Sequence, residues 1–126
     1  MTPQETPNNR TPAVLYICAE RSEVSKLGTK RAADEGRAFA DRHSLWIVDE
    51  ITDPYGEPIP WKRSGWAQIR EMAEDGAMEV AIVRWPNALS PQPALRSPEL
   101  DYLGRHGVQV RFSWAPLALL AGGGGA

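Results

Sequence analysis

Four short apolar runs, separated by segments with helical periodicity, constrain the fold of this chain more than any other feature. They are AVLYICA at 13–19, LWIVDEI at 45–51, MEVAIVRW at 78–85 and VQVRFSW at 108–114. The first run is apolar throughout, and the third has a continuous apolar centre at 80–83, as in strands covered on both faces. The fourth alternates apolar and polar residues, as edge strands do. This order predicts a three-layer α/β domain with a mainly parallel sheet of four or five strands.

Three helices are predicted between these strands. The first covers 26–43, where small apolar side chains recur at spacings of three and four and predict close packing against a neighbour. The second runs from Trp66 to a stop at Gly76, and the third covers 99–105. The segments 52–65 and 86–98 are rich in proline and are predicted loops. Functional side chains are expected after the first three strands, at 18–25, 53–65 and 86–93, because ligands of parallel sheets bind at the carboxyl ends of the strands.

The length of 126 residues fits a single domain. Residues 1–12 contain three prolines and little to bury, which predicts a disordered tail. Residues 13–120 are the predicted α/β domain, and the glycine-rich residues 121–126 are a predicted flexible tail.

The charge balance and the sequence motifs exclude several classes of function. A net charge of −2 predicts weak non-specific affinity for DNA. The single cysteine, Cys18, rules out an intrachain disulfide and is typical of a reducing cytoplasm. The sequence contains neither a long apolar span nor a secretory signal. It also lacks a glycine-rich phosphate loop and metal-ligand spacing, so we expect a cytoplasmic protein without metal or cofactor.

The two histidines and two of the five tryptophans have predicted structural places, and two further tryptophans are left open. His43 and His106 lie in the last turns of predicted helices, where they complement the helix dipole. Trp46 and Trp85 lie in predicted strands and are expected in the core. The other two, Trp61 and Trp66, flank a loop and are open to either buried packing or use in an interface.

Several segments together resemble the catalytic domain of serine recombinases, the resolvase/invertase family. They are VLYICAERS, FADRHSLWIVDEITD, KRSGWAQIREMAEDGAMEVAIVRWPNALSP and YLGRHGVQVRF, and the resemblance extends over about 13–112. It implies a chemistry in which a serine hydroxyl attacks a DNA phosphodiester and forms a covalent phosphoserine link. Arginines, not a metal, activate that serine and neutralise the phosphate.

Carried over by position, the family pattern is largely lost in this chain. Tyr16 matches the family tyrosine, but Cys18 stands at an arginine position and Glu20 at the nucleophile position. A carboxylate at that point would repel the phosphate. After the third strand the family has D-R-L-S-R, whereas this chain has Asn87, Ala88, Leu89, Ser90 and Pro91. Of the expected arginines only Arg63 is retained.

Two alternatives at these positions remain open. Ser22, preceded by Arg21, is the candidate nucleophile if the register slips. Adjacent residues of an extended segment point to opposite sides, which argues against this pairing. Cys18 is either a small buried hydrophobic residue or a reactive thiol. The first is favoured, because the nearby carboxylate of Glu20 would raise the pKa of the thiol and make it less reactive.

The leading hypothesis is a degenerate, non-catalytic recombinase-like domain that binds another protein or itself, with Trp61, Trp66 and APLALL at 115–120 as contact candidates. One alternative is a truncated site-specific recombinase domain that acts on DNA within a complex. The segment after Trp114 is expected to be too short for the dimerisation helix and DNA-binding domain of the family. A further alternative is a small-ligand-binding module that uses a pocket above the sheet. The richness in alanine, arginine, glycine and proline is typical of a high-GC bacterium.

Overall fold

The computed structural model describes residues 10–19, 23–54 and 56–114, which form four strands and four α-helices. The strands are β1 (Thr11–Ala19), β2 (Leu45–Pro54), β3 (Val80–Val83) and β4 (Gln109–Phe112). The helices are α1 (Glu23–Arg42), α2 (Ser64–Glu74), α3 (Pro86–Leu89) and α4 (Pro93–Arg105), with one 3₁₀ turn at Pro60–Lys62. The strands form one sheet in the order β2-β1-β3-β4, and every pairing is parallel. The predicted α/β fold with a parallel sheet is confirmed.

The strands differ from the predicted runs mainly in their ends. β1 begins at Thr11, two residues before the predicted run, and the Thr11 amide donates to the carbonyl of Ser44 at 3.0 Å. β2 continues to Pro54, because Asp53 and Pro54 still pair with the end of β1. β3 is limited to the four residues that pair with both neighbours.

The segment 86–98, predicted as a loop, is largely helical. Pro86 and Pro93 each stand at the start of a helix, where proline fits because its fixed φ is already helical and its missing N–H is not needed. Pro98 lies inside α4 and removes only one backbone hydrogen bond there. Proline content alone therefore mispredicted this segment. The predicted loop 52–65 is shortened at one end by β2 and at the other by α2, which begins at Ser64, and it contains the 3₁₀ turn Pro60–Lys62.

The sheet has a separate apolar cluster on each face, because successive residues of β1 point in opposite directions. One cluster packs Leu15 and Ile17 against Phe39 of α1. A Cβ on Gly36 would lie 2.5 Å from a Leu15 methyl, so α1 approaches the sheet as closely as its small residues predicted. The other cluster includes Val14, Tyr16, Trp66, Ile69 and Leu103, from β1, α2 and α4.

Two tryptophans lie outside the core in which they were predicted, and the structure decides between the two alternatives left open for Trp61 and Trp66. Trp66 is fully buried, so it is a core residue and not a contact residue. Trp46 and Trp85 are only half-buried, because each lies near an end of the sheet and not at its middle. Trp61 is 43% exposed. Within the described part of the chain, no helix has both the length and the apolar character needed to cross a membrane.

Candidate functional site

The carboxyl end of β1 is tied to β2 and α2 through one buried carboxylate. Asp53 is 1% exposed and accepts a hydrogen bond of 2.7 Å from the Tyr16 phenol. It also accepts the backbone amides of Gly65 and Trp66, at 2.8 and 2.9 Å, in the first turn of α2. A carboxylate satisfies the free amides of a helix start and complements the positive end of its dipole. Asp53 therefore fixes three elements around the site.

Arg63, the one arginine retained from the family pattern, is engaged by the protein itself. It is 7% exposed, and its Nε donates to the carbonyl of Glu57 at 2.7 Å. Its Nη1 donates to the carbonyl of Ala88 at 3.0 Å and to the hydroxyl of Tyr16 at 3.3 Å. The guanidinium thus joins the loop after β2 to β1 and α3.

Two titratable groups at the end of β1 are held in their protonated forms. Burial, and then the hydrogen bond to Asp53, raise the pKa of the Tyr16 phenol well above its usual range. Burial also raises the pKa of the Cys18 thiol, against the opposing charge of Arg63. The thiol is half-buried, and its sulfur lies 3.9 Å from the carbonyl oxygen of Pro54. A protonated thiol is a poor nucleophile.

A cavity of about 500 Å³ lies at the carboxyl ends of β1 and β3, between α1 and the residues that follow β3. Four positions singled out from the sequence line it: Cys18, Asn87, Ala88 and Pro91. The other lining residues are Leu15, Tyr16, Ile17, Ala19, Gly28, Thr29, Ala32, Arg84, Trp85 and Ser113. Glu20 and Ser22 lie outside the described residues, and Arg63 is not among those that line the cavity. Four of the seven predicted positions are therefore brought together, in a mainly apolar setting.

Arg84 is the only charged side chain among the described lining residues, and the sequence reasoning missed it. Its Nε lies 3.1 Å from Oε1 of Glu35 on α1, which forms an ion pair. Its guanidinium lies over the Trp85 ring, 4.6 Å from the centroid. One sequence feature could have indicated Arg84 as a site residue: it directly follows the buried residues of β3, at the carboxyl end of that strand.

Ser113, also missed, follows β4 and is 1% exposed. Its Oγ is buried and makes no hydrogen bond within the described part of the chain. Its backbone is held firmly, because the Ser113 amide donates to Val83 at 3.0 Å and the Trp114 amide donates to Arg84 at 2.9 Å. A buried hydroxyl without a partner is costly and unusual in a folded protein.

The retained Leu89-Ser90 pair shapes the segment between α3 and α4. Both residues are fully buried, and Ser90 Oγ accepts the amide of Gln92 at 3.1 Å. Arg96 donates to the Ser90 carbonyl at 2.9 Å and approaches Oδ1 of Asn87 at 3.5 Å. These contacts hold the residues that follow β3 against the cavity.

A second buried carboxylate joins α2 to α4, on the face of the sheet opposite to α1. Glu99 is 3% exposed and accepts a hydrogen bond of 2.8 Å from the Trp66 indole. Arg70 Nε lies 3.3 Å from the same oxygen but lacks hydrogen-bond geometry, so the contact is an ion pair only. The same guanidinium lies 4.1 Å from the ring centroid of Tyr102. This cluster anchors the two helices and is separate from the cavity.

Comparison with known proteins found neither a matching protein family model nor a matching curated protein. Solved structures do match. The C-terminal catalytic domain of ISC1926 TnpA, an IS607-like serine recombinase, is 16% identical with a TM-score of 0.71, over 81% of this chain and 68% of that one. The N-terminal catalytic domain of TP901-1 integrase is 14% identical with a TM-score of 0.69, over 84% and 78%.

A resolvase family site-specific recombinase from Streptococcus pneumoniae is 15% identical with a TM-score of 0.69, over 90% of this chain and 87% of that one. Identities this low establish likeness of fold only. The chain therefore has the fold of serine recombinase catalytic domains, and the resemblance drawn from the sequence is confirmed at that level.

Proposed function

We propose that this chain is a recombinase-fold domain that does not cleave DNA and acts by binding another protein or a second copy of itself. The observation that carries the proposal is the lining of the cavity. Phosphoryl transfer without a metal needs several arginines around the phosphate. Cys18, Ala88 and Pro91 stand at the arginine positions of the family pattern and line the cavity. Arg84, its one charged lining residue within the described chain, is paired with Glu35.

The contacts of Arg63 support the same proposal. An arginine that activates a nucleophile must direct its N–H groups toward the reacting phosphate. Arg63 instead donates to Glu57, Tyr16 and Ala88, with a side chain that is almost fully buried. Its role in this proposal is to hold the loops around the cavity.

A search for the covalent intermediate tests this proposal directly. The purified protein, mixed with supercoiled plasmid and with a random-sequence duplex library, should form no nicked product and no protein–DNA adduct by denaturing electrophoresis and intact mass spectrometry. An active serine recombinase with its own recombination site, run in parallel, controls for detection. An adduct that disappears in Ser22→Ala would overturn the proposal and establish the slipped register.

An alternative function is a recombinase domain that acts on DNA within a complex. Its support is that the similar solved structures carry the names of recombinases and an integrase. Against it stand the net charge of −2 and the paired arginine of the cavity. Strong binding to duplex DNA that falls steeply with added salt would favour this alternative.

Self-association through Trp61 is part of the proposal. At 43% exposure on the 3₁₀ turn, it is one of two large hydrophobic side chains, with Val48 at 37%, that the described residues expose. Trp66 is excluded as a contact because it is buried, and APLALL lies outside the described residues. Sedimentation velocity should show a concentration-dependent dimer that is lost in Trp61→Ser and kept in Val48→Ser. A monomer at all concentrations would leave only a different protein as the partner.

The proposal places the protein in a reducing cytoplasm, and its support is the unpaired thiol of Cys18.

A further inference from the structure

We propose that residues 115–120, the apolar segment APLALL, fold back onto the cavity at the carboxyl ends of β1 and β3 and pack against its apolar walls. The segment directly follows Trp114 and lies outside the described residues. This assignment goes beyond the proposed function, because it gives the cavity an occupant from the same chain. Three features support it: the point at which the chain leaves the sheet, the walls of the cavity and the composition of the segment.

The chain leaves the sheet at the edge where the cavity lies. β4 runs parallel to β3, so both strands end at the same edge of the sheet. Beyond β4, the Ser113 amide donates to the carbonyl of Val83 at 3.0 Å, and the Trp114 amide donates to the carbonyl of Arg84 at 2.9 Å. Ser113 and Arg84 are both lining residues of the cavity. The residue that follows Trp114 therefore starts beside the cavity.

The ring of Trp114 continues the apolar surface at this point. It packs edge-on against Trp85, with ring centroids 5.1 Å apart, and Trp85 lines the cavity. Both tryptophans are half-buried, so part of each ring is exposed to water. Six extended residues span about 20 Å, whereas a sphere with the cavity's volume of about 500 Å³ is about 10 Å across. Residues 115–120 are thus long enough to cross the cavity from Trp114.

The walls of the cavity and the segment are chemically matched. The apolar walls come from Leu15, Ile17, Ala19, Ala32, Ala88 and Pro91. The segment contributes three leucines and contains no charged side chain. Contact between two apolar surfaces removes both from water, which is favourable.

An occupant from the same chain has an entropic advantage over a second molecule. Association of two molecules costs translational and rotational freedom. A segment joined to Trp114 by a peptide bond is instead held near the cavity at a high effective concentration. Any other ligand or partner of the cavity must therefore first displace 115–120.

Cys18 reports on whether the cavity is covered. It is the single cysteine of the chain, it lines the cavity and it is half-buried. Alkylation of the full-length chain with iodoacetamide, followed by intact mass spectrometry, measures how readily a reagent reaches this thiol. Removal of the apolar contacts of 115–120 is therefore expected to speed up the reaction.

The double variant Leu117→Ser/Leu120→Ser should be alkylated at least roughly tenfold faster than the parent, because each buried leucine that is lost favours the open form. Gly122→Ser/Gly125→Ser is the matched control, since it introduces the same residue at the same spacing just beyond the segment. It should react at the parent rate. Neither variant places a new charge beside the thiol. An unchanged rate in the leucine variant, or an equal rise in the two variants, would overturn the proposal.

Methyl NOEs test the contact in the unmodified chain, without any variant. They are expected between the leucine methyls of 115–120 and the methyls of Ala19 and Ala88, and their absence would overturn the proposal. In an equal mixture of ¹³C-labelled and unlabelled chains, contacts found only between chains would place a second copy in the cavity and overturn the assignment to the same chain. The cleavage assay above is independent, since a DNA adduct would overturn the proposed function and leave this assignment unchanged.

Discussion

The phenol of Tyr16 donates a 2.7 Å hydrogen bond to Asp53, a residue 37 positions away in the chain, and this bond links the carboxyl ends of β1 and β2. Asp53 also accepts hydrogen bonds from the backbone amides of Gly65 and Trp66 in the first turn of α2. The Tyr16 hydroxyl accepts a hydrogen bond from Arg63. One buried pair therefore aligns two strands, a helix and an arginine at the edge of the cavity.

Tyr16→Phe should destabilise the protein, because it removes a buried hydrogen bond to a carboxylate and a partner of Arg63. Hydrogen bonds to charged groups contribute about 1.5–3 kcal/mol, so we expect a loss of that order in the free energy of unfolding. Urea denaturation followed by tryptophan fluorescence measures it. Tyr102→Phe is the matched control, since its hydroxyl bonds Glu74 at the exposed surface. Equal losses in the two variants would contradict the importance of the buried pair.

Gly65→Ala should also destabilise the protein, for a steric reason. A Cβ at this position would lie 2.7 Å from both carboxylate oxygens of Asp53, so the carboxylate or α2 must move. Overpacking of this kind costs about 1–3 kcal/mol.

Gly104→Ala in α4 is the control for Gly65→Ala, because the added Cβ there meets no heavy atom within 4 Å. It should stabilise the helix by up to about 1 kcal/mol. The two changes should therefore move the Tm in opposite directions in a calorimetric scan, and a common direction would refute the steric argument.

His43 should make the protein less stable as the pH falls below neutral. Burial lowers the pKa of its imidazole below the ordinary 6.5, and the neighbouring charges of Arg111 and Arg42 lower it further. Arg111 Nη2 lies 3.2 Å from Nδ1, and the ring stacks on Phe39. Because the folded pKa is the lower one, the unfolded state binds more protons between that value and 6.5. As the pH falls from 6.5 to that lower value, the free energy of unfolding therefore decreases by at most about 1.4 kcal/mol per pH unit.

The comparison of unfolding curves of the parent and His43→Gln from pH 8 to pH 5 isolates this contribution. The parent should lose more stability than the variant on acidification, and the two should run parallel above pH 7. An NMR titration of the His43 ring that gives a midpoint at or above 6.5 would contradict the assignment.

The sheet could be predicted from the sequence because its signals are local. The continuous apolar runs placed β1 and β3 in the covered centre, and their shared carboxyl ends explain why Cys18, Asn87, Ala88 and Pro91 meet around one cavity. The helical nature of 86–98 was missed because proline signals both a turn and the first residue of a helix.

The groups that give the cavity its character could not be predicted in the same way. Arg84 and Glu35 are 49 residues apart and meet only because α1 packs over β1 and β2, which brings Glu35 to the residue that follows β3. Ser113 Oγ has no hydrogen-bond partner among the described residues, and this depends on which side chains fail to reach it, which no sequence pattern encodes. The side chains of Trp66 and Trp85 are chemically the same, so their burial depends on their place in the fold. Trp66 is buried because it lies on α2 against the sheet, and Trp85 is half-buried because it follows the last residue of β3.

Glu20→Ser, which restores a serine at the family nucleophile position, should not produce DNA cleavage. Cys18, Ala88 and Pro91 still leave three expected arginine positions without positive charge. Loss of one donor to a transition state typically lowers the rate by about 10²–10³-fold, and groups that act together do not recover singly. The measurement is the covalent adduct with plasmid DNA on denaturing electrophoresis. The matched comparison adds Cys18→Arg, Ala88→Arg and Pro91→Arg to Glu20→Ser, since all three positions line the cavity. An adduct formed by Glu20→Ser alone would show that DNA cleavage by this chain does not need arginines at these three positions.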